Sequence, residues 1–339
     1  MTTPVRLTLV VFVLTALPAC PALADLSVSG LEIQPRLDIR GCGGSNTPET
    51  LRIMQSEVNI RFSVNKDDEE LVAFALAPNF ETAMTGRARQ MHFANFYSVW
   101  NFGVDKPKVK VGQFVVPFGT LAEYDTHQLL LQTPYARTLG IRLDRGLAIE
   151  GFRGDLDYQF SLTSGDGRGR KNASYTANLR VAKDYEDGDD FYRLGLSLLH
   201  GEQMPVYRTT PMPLPMGPAG TPTRADKDRV ALDVDWLHGI DNFRAEIVLG
   251  TDDGDFVNGQ WVSWNHPFSY DTDLTVQADR WHQRDGVSYG FGASLHHRLD
   301  DLSGVRLAYE PRFARPDGAE NKSLGLVTVQ WYRNFTLEW

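Results

Sequence analysis

Strict two-residue alternation of apolar and polar side chains recurs along almost the whole chain, and it limits the possible folds more tightly than any other feature. Leu31, Ile33, Pro35, Leu37 and Ile39 alternate with Glu32, Gln34, Arg36, Asp38 and Arg40. Val58, Ile60, Phe62 and Val64 alternate with Glu57, Asn59, Arg61 and Ser63. The same pattern sets Leu156, Tyr158, Phe160 and Leu162 against Asp157, Gln159, Ser161 and Thr163, and Tyr175, Ala177, Leu179 and Val181 against Thr176, Asn178 and Arg180. Val230, Leu232, Val234 and Trp236 oppose Ala231, Asp233 and Asp235, while Tyr289, Phe291, Ala293 and Leu295 oppose Gly290, Gly292, Ser294 and His296. Successive side chains of a strand point to opposite faces, so each segment has one apolar face and one polar face.

About 16 such segments occur, mostly eight to thirteen residues long, with no convincing amphipathic helix between them. A soluble sandwich domain uses roughly seven to nine strands of about five or six residues. Segments of about ten residues match a tilted crossing of a hydrocarbon layer. The expected fold is all-β: a transmembrane antiparallel up-and-down β-barrel of about 16 strands, with short periplasmic turns and long extracellular loops.

The connections give a separate argument. Brief, often acidic links lie near Lys66–Glu70, Gly103–Pro107, Gly154–Asp155, Asp184–Asp190, Gly239–Asn242, Asn265–Asp273 and Leu299–Ser303. Longer stretches fall between them: Gly41–Thr50, Pro78–Gln90, Pro117–Arg145, Gly165–Ala173, Gly201–Asp228, Thr251–Gly259, His282–Val287 and Phe313–Lys322. Both chain ends fall on the short-link side, which makes the strand number even; seven short and eight long links predict 16 strands. Val327, Val329, Trp331, Phe335, Leu337 and Trp339 form a last alternating run that ends on an aromatic residue, interrupted by Arg333. Phe335, Leu337 and Trp339 resemble the C-terminal assembly signal of outer-membrane barrels. Phe62, Phe96, Tyr97, Trp100, Phe102, Trp236, Trp261 and Trp264 sit near strand ends, where interfacial aromatic girdles are expected.

Residues 1–24 read as a signal peptide. Arg6 precedes an uninterrupted run of apolar residues and threonine from Leu7 to Leu17, and Ala22-Leu23-Ala24 provides a small-x-small cleavage site. Two other readings stay open, an N-terminal anchor and lipidation at Cys20 in Leu17-Pro18-Ala19-Cys20. The mature barrel then covers residues 25–339 and keeps Cys42 alone, so no internal disulfide can form; Cys42 is expected in the first outer loop. A net charge of -9 gives no basic excess for nucleic acid.

Motifs for chemistry are sparse. Gly-x-Ser-x-Gly, His-Glu-x-x-His, phosphate-loop and Cys-x-x-Cys-His patterns are absent from the sequence, so no enzyme, cofactor or covalent haem is expected. Thr251-Asp252-Asp253-Gly254-Asp255 lacks the full spacing of a calcium loop and reads better as a polar turn. His296 and His297 are adjacent, so on a strand they face opposite sides and cannot chelate one metal. No metal site is expected.

Val111-Gly112-Gln113-Phe114-Val115-Val116-Pro117-Phe118-Gly119 resembles the "GKF-x-x-PFG" stretch of the phosphate-selective porin O/P family and related trimeric porins. The resemblance rests on Gly112, Gln113, Phe114, Pro117, Phe118 and Gly119 and on the strand rhythm. It implies that residues 117–146 form a loop that folds back and narrows a water-filled pore, and that the protein is a homotrimer. A 16-strand barrel leaves an aqueous channel that needs such a constriction to discriminate solutes. Candidate pore residues are Glu123, Asp125, His127, Arg137, Arg142, Asp144 and Arg145 in the loop, with Lys108 and Lys110 on the wall. Inward basic positions (Arg36, Arg61, Lys108, Lys110, Arg180, Arg193, Arg244, Arg306) are matched by Glu32, Asp38, Glu57, Asp155, Asp157, Asp233, Asp235, Glu246 and Glu310, so no phosphate-type selectivity is readable.

The expected function is passive diffusion of small hydrophilic solutes or ions through a bacterial outer-membrane porin embedded in outer-membrane lipid. The alternative is a barrel that sheathes a multihaem cytochrome in an electron-transfer conduit.

Overall fold

The computed structural model describes residues 26–338 except 45–46, 54–55, 67–68, 83–88, 104, 121–129, 132–133, 135–137, 168–173, 189, 204–224, 285, 317–320 and 336. Among the described residues eighteen extended segments make one closed sheet, and two pairs of segments each act as one strand, giving 16 barrel strands. In chain order these are β1 (Leu26–Gly44), β2 (Thr47–Ile53 continuing as Ser56–Lys66), β3 (Glu69–Thr82), β4 (Arg89–Trp100) and β5 (Lys108–Val115). Then come β6 (Leu143–Arg153), β7 (Leu156–Thr163), β8 (Thr176–Asp187), β9 (Asp190–Gln203), β10 (Ala225–His238) and β11 (Asp241–Asp252). The ring ends with β12 (Asp255–Pro267), β13 (Thr272–Gln283), β14 (Gly286–Asp300), β15 (Ser303–Pro316) and β16 (Lys322–Asn334 with Leu337–Glu338).

Every neighbouring pair is antiparallel. The ring closes where β1 pairs with β16, from Gly43 opposite Val327 to Ile33 opposite Leu337. The Phe335 N–H adds a bond to the Pro35 carbonyl at 2.8 Å. The expected C-terminal signal therefore lies on the closing seam, although Trp339 itself is outside the described residues.

The sheet is inverted relative to a soluble protein. Leu232 is 60% exposed, while its neighbour Asp233 is 5% exposed. Leu194, Leu196, Leu198, Ile247, Leu249 and Val262 are likewise exposed, and Ser197, Arg180, Glu246, Gln330 and Glu310 are buried. An apolar exterior and a polar lumen suit a barrel surrounded by hydrocarbon, and closure leaves no sheet edge unpaired. Tyr192, Trp236, Phe243 and Trp264 stack in succession on the outward face near the short-turn end, as a girdle does.

The order of connections is as expected, but several links are shorter than expected. Gly41–Thr50 is no long loop, because strand structure runs to Gly44 and resumes at Thr47. Cys42 consequently lies within β1, opposite Thr50 and Thr328, and not in an outer loop. Pro78–Gln90 shrinks to residues 83–88, and His282–Val287 shrinks to 284–285. Thr251–Gly259 is a two-residue hairpin in which Asp253 (φ 50°) and Gly254 (φ 85°) both adopt the left-handed conformation that tight hairpins require. Beyond the hydrocarbon layer a strand keeps its ladder without needing an apolar face, so its ends look like loop in the sequence. Two aromatic assignments also change. Trp261 and Tyr97 face the lumen: Trp261 is 2% exposed in register with Glu246, and Lys110 lies over the Tyr97 ring.

Inversion predicts an asymmetric response to charge. Leu232→Arg, on the outward face, should destabilise the folded barrel in lipid vesicles by about 2–4 kcal/mol if the position lies near the bilayer midplane. Gln34→Arg, on the inward face, should change it by less than ~0.5 kcal/mol. Denaturant unfolding followed by tryptophan fluorescence would measure both.

Candidate functional site: a lumen crossed by an inward loop

The chain leaves β5 at Val115 and returns at Leu143, and described residues between them (Val116, Phe118, Leu130, Leu131 and Leu139) pack inside the barrel. Val116 and Phe118 pack with Leu139 against Leu199, Ala231 and Val248, inward residues of β9, β10 and β11. These three seat residues break the alternation of their strands: Leu198-Leu199, Val230-Ala231-Leu232 and Ile247-Val248-Leu249 are consecutive apolar runs. An apolar inward position has no use in a water-filled lumen unless something packs on it.

Polar contacts then fix the loop root. The Gly119 N–H donates to Ser197 Oγ at 2.9 Å, and the Thr120 N–H donates to Glu246 Oε2 at 2.9 Å. Gly119 has φ 57°, and a Cβ there would collide with the Glu246 carboxylate, so only glycine permits this approach. Gly112, also in the left-handed half (φ 135°), would drive a Cβ into the Phe96 carbonyl.

Further along, Leu130 and Leu131 are buried against Ala308 of β15, and Gly292 of β14 leaves room for the Leu131 side chain. By strand order β14 and β15 lie across the ring from β5, so the loop spans the lumen. On its return the Thr138 carbonyl accepts from Arg229 Nε at 3.0 Å, and the Ile141 N–H donates to Gln203 Oε1 at 3.4 Å. The Val116 N–H donates to the Arg142 carbonyl at 2.9 Å, which closes the base of the loop.

Around it, the wall neutralises much of its own charge. Arg180 and Asp233 are paired at 2.9 Å with both side chains almost fully buried. Arg40 binds both oxygens of Asp38 at 3.0 and 2.8 Å, and Gln330 donates to the same carboxylate at 2.6 Å. Arg312 lies between Glu310 (3.4 Å) and Asp279 (3.6 Å), and Arg229 pairs with Asp252 at 2.6 Å. Lys110 pairs with Glu150 at 2.6 Å, Arg244 with Asp235 at 2.9 Å, and Arg193 with Asp157. At the short-turn end a cavity of about 1030 Å³ remains open, lined in part by Lys108, Glu150, Asp157 and Gln159.

No family model and no curated protein sequence matches the chain. Among solved structures it is similar to the anion-selective porin from Comamonas acidovorans, with a TM-score of 0.62 and 14% identity over 91% of this chain and 100% of that one. Outer-membrane expressed OmpT of Vibrio cholerae aligns with a TM-score of 0.64 and 10% identity, covering 92% of this chain and 98% of that one. The outer membrane channel DcaP of Acinetobacter baumannii gives 0.61 and 9% identity, covering 91% and 97%. The chain has the porin fold.

Within that fold the expected site residues take different places. Glu123, Asp125, His127 and Arg137 fall outside the described residues. Asp144 is 1% exposed, and its carboxylate accepts from Arg145 N–H, Ser164 Oγ, Gly165 N–H and Gly167 N–H at 2.7–3.0 Å. It organises the neighbouring 164–167 turn and is closed to a passing solute. Arg145 shares the outward face of β6 with Leu147, and its Nε donates to Gln113 Oε1 at 3.2 Å. Gln113 spends its amide on the Phe93 and Ala94 carbonyls, at an irregular stretch of β4. Lys108 lines the cavity at the short-turn end, and Lys110 shares its face of β5 and is paired with Glu150. His296 and His297 point to opposite faces as expected, His296 toward Asp273 and Tyr332 inside and His297 toward Thr272 outside.

Asp279, Arg312 and Arg229 are further lumen charges, joined by Asp252, which was expected in a polar turn; the alternation of β13 and β10 contains the signal for Asp279 and Arg229. Which wall residues receive the loop was signalled only by the three breaks in alternation.

Removing the carboxylate that anchors the loop root should loosen it. Glu246→Ala is expected to cost about 2 kcal/mol of local stability, the value of a hydrogen bond to a charged acceptor. Gly292→Val should displace the loop tip by crowding Leu131. Both variants should show a larger and noisier single-channel current than the parent, and an unchanged current would count against the loop as the constriction.

Proposed function

We propose that the protein is an outer-membrane channel through which small hydrophilic solutes or ions diffuse passively. One observation carries this reading: a polar-lined, outwardly apolar barrel whose longest described link folds inward and is anchored to the wall on both sides of the lumen. A structural or adhesive barrel has no need of a loop held across its interior, whereas a channel uses one to set the size and charge of its narrowest section. By loop length, the ends of the chain lie on the periplasmic side. The homotrimer is proposed from the resemblance of the 112–119 motif to trimeric porins.

Net selectivity for phosphate is not part of the proposal, because the basic wall residues stand beside acids. The sheath for a multihaem cytochrome is the less favoured reading, since a loop from β5 to β15 occupies the space a protein partner would need.

Reconstitution of the purified full-length protein in planar bilayers should give ohmic single-channel steps. Deleting residues 120–137 should raise the step size severalfold without preventing insertion. A correctly folded barrel that never opens a conducting path would overturn the reading, and a coloured, haem-bearing co-purifying partner would favour the sheath.

A further inference from the structure

Most of the outward face is apolar, but one arc near the long-link end is not. On β13, Arg280 and His282 point outward: they share a face with Val276, and Trp281 between them is buried in the lumen. Arg280 Nη1 donates to Asn258 Oδ1 at 2.7 Å and to Gln260 Oε1 at 3.1 Å, both on the outward face of β12. Asn258 Nδ2 lies 3.4 Å from His282 Nδ1. In register, the row through Arg280 continues to Tyr289 and Phe313, and the row through His282 continues through Val287 to Arg315.

The arc is cationic and open. Among the described residues no carboxylate lies within ion-pair distance of Arg280 or Arg315; only Arg284, in the adjacent hairpin, has one, Asp255 at 3.0 Å. The two hairpins beside the arc are minimal, linking Asp252 to Asp255 and Gln283 to Gly286, so neither of them folds over it. Tyr289 and Phe313, 41% and 47% exposed, present aromatic rings level with Arg280 and one row below His282 and Arg315, as at a membrane–water boundary. Charge is segregated around the rim: on β9 and β10 the outward positions at the same end carry Asp226 and an Asp228 held 2.7 Å from His200.

We propose that Arg280, His282 and Arg315, with the amides of Asn258 and Gln260, bind the phosphorylated sugar headgroup of a glycolipid in the outer leaflet. This rests on the reading above that places the long-link end at the outer surface. A guanidinium held by two neutral amide oxygens keeps its charge and its remaining N–H donors for a phosphate. The row spacing fits such a headgroup: Arg280 stands roughly 10 Å along the strand from its end at Gln283, and His282 and Arg315 are two strands, about 10 Å, apart. Neutral amides suit sugar hydroxyls, which a simple phosphodiester headgroup does not require.

The test uses the full-length barrel in detergent, with native mass spectrometry reading retention of diphosphorylated lipid A, dephosphorylated lipid A, phosphatidylglycerol or inorganic phosphate. The parent should retain diphosphorylated lipid A above the other three, and Arg280→Gln/Arg315→Gln should weaken that retention roughly tenfold. Arg280→Lys should keep part of it, and Asp228→Asn, on the acidic arc, should leave it unchanged. Equal retention of phosphatidylglycerol or dephosphorylated lipid A would overturn the proposal, as would equal retention by the double variant. A change in oligomer size without a change in lipid retention would assign the arc to a contact between subunits instead. Conductance of the same preparations separates the two readings: a parent that conducts but retains no glycolipid sinks only this one.

Discussion

A chain that crosses hydrocarbon with strands must satisfy every backbone N–H and C=O within itself, because each unpaired group costs several kcal/mol. Here the pairing of β1 with β16 meets that constraint, and the rest of the architecture depends on it. Once the ring is closed, alternation separates the side chains into two populations. Those facing out meet lipid and must be apolar; those facing in meet water or one another. The charged residues are therefore buried by the fold's geometry, and they are tolerated because so many of them are paired.

That interior is crowded enough to hold a loop in place. The loop does not rest on hydrophobic contact alone. Phe118 and Leu139 sit on an apolar patch, but the direction of the root is set by Ser197 and Glu246, which accept backbone N–H groups, and the far end is a leucine contact on Ala308. Taking a carboxylate such as Glu246 out of water is costly unless it is paired or hydrogen-bonded, so its bond to Thr120 stabilises both the wall and the loop. Buried pairs such as Arg180–Asp233 offer little net stability for their desolvation cost. Their consequence is to hold the wall's side chains in defined positions along the solute path.

The strands were legible because they report a local rule. Val230 to Trp236 or Tyr289 to Leu295 can be assigned to a face without knowing what lies opposite, and the parity of links then gave the strand number. The pattern misleads where that rule stops applying. Gly41, Cys42 and Gly43 remain in β1 after the apolar requirement has ended, so they looked like a loop. Trp261 and Tyr97 are aromatic residues near strand ends, which suggested a girdle, yet their register turns them into the lumen. Asp144 and Arg145 are charged neighbours at the end of a long link, which suggested solute contact; the first is consumed by four local donors and the second lies outside the barrel.

By itself, the sequence determined the class of the fold, the number of strands, the apolar outward face of most of them and which link is long enough to enter the pore. These follow from the two-residue pleat and from the length needed to cross a bilayer, both of which act over a few residues. Only the tertiary structure decided where the loop lands, which acids neutralise which arginines, and which cations remain on the outer rim. Those outcomes depend on strands far apart in sequence being brought together by closure, and on a shear between strands that no local pattern encodes.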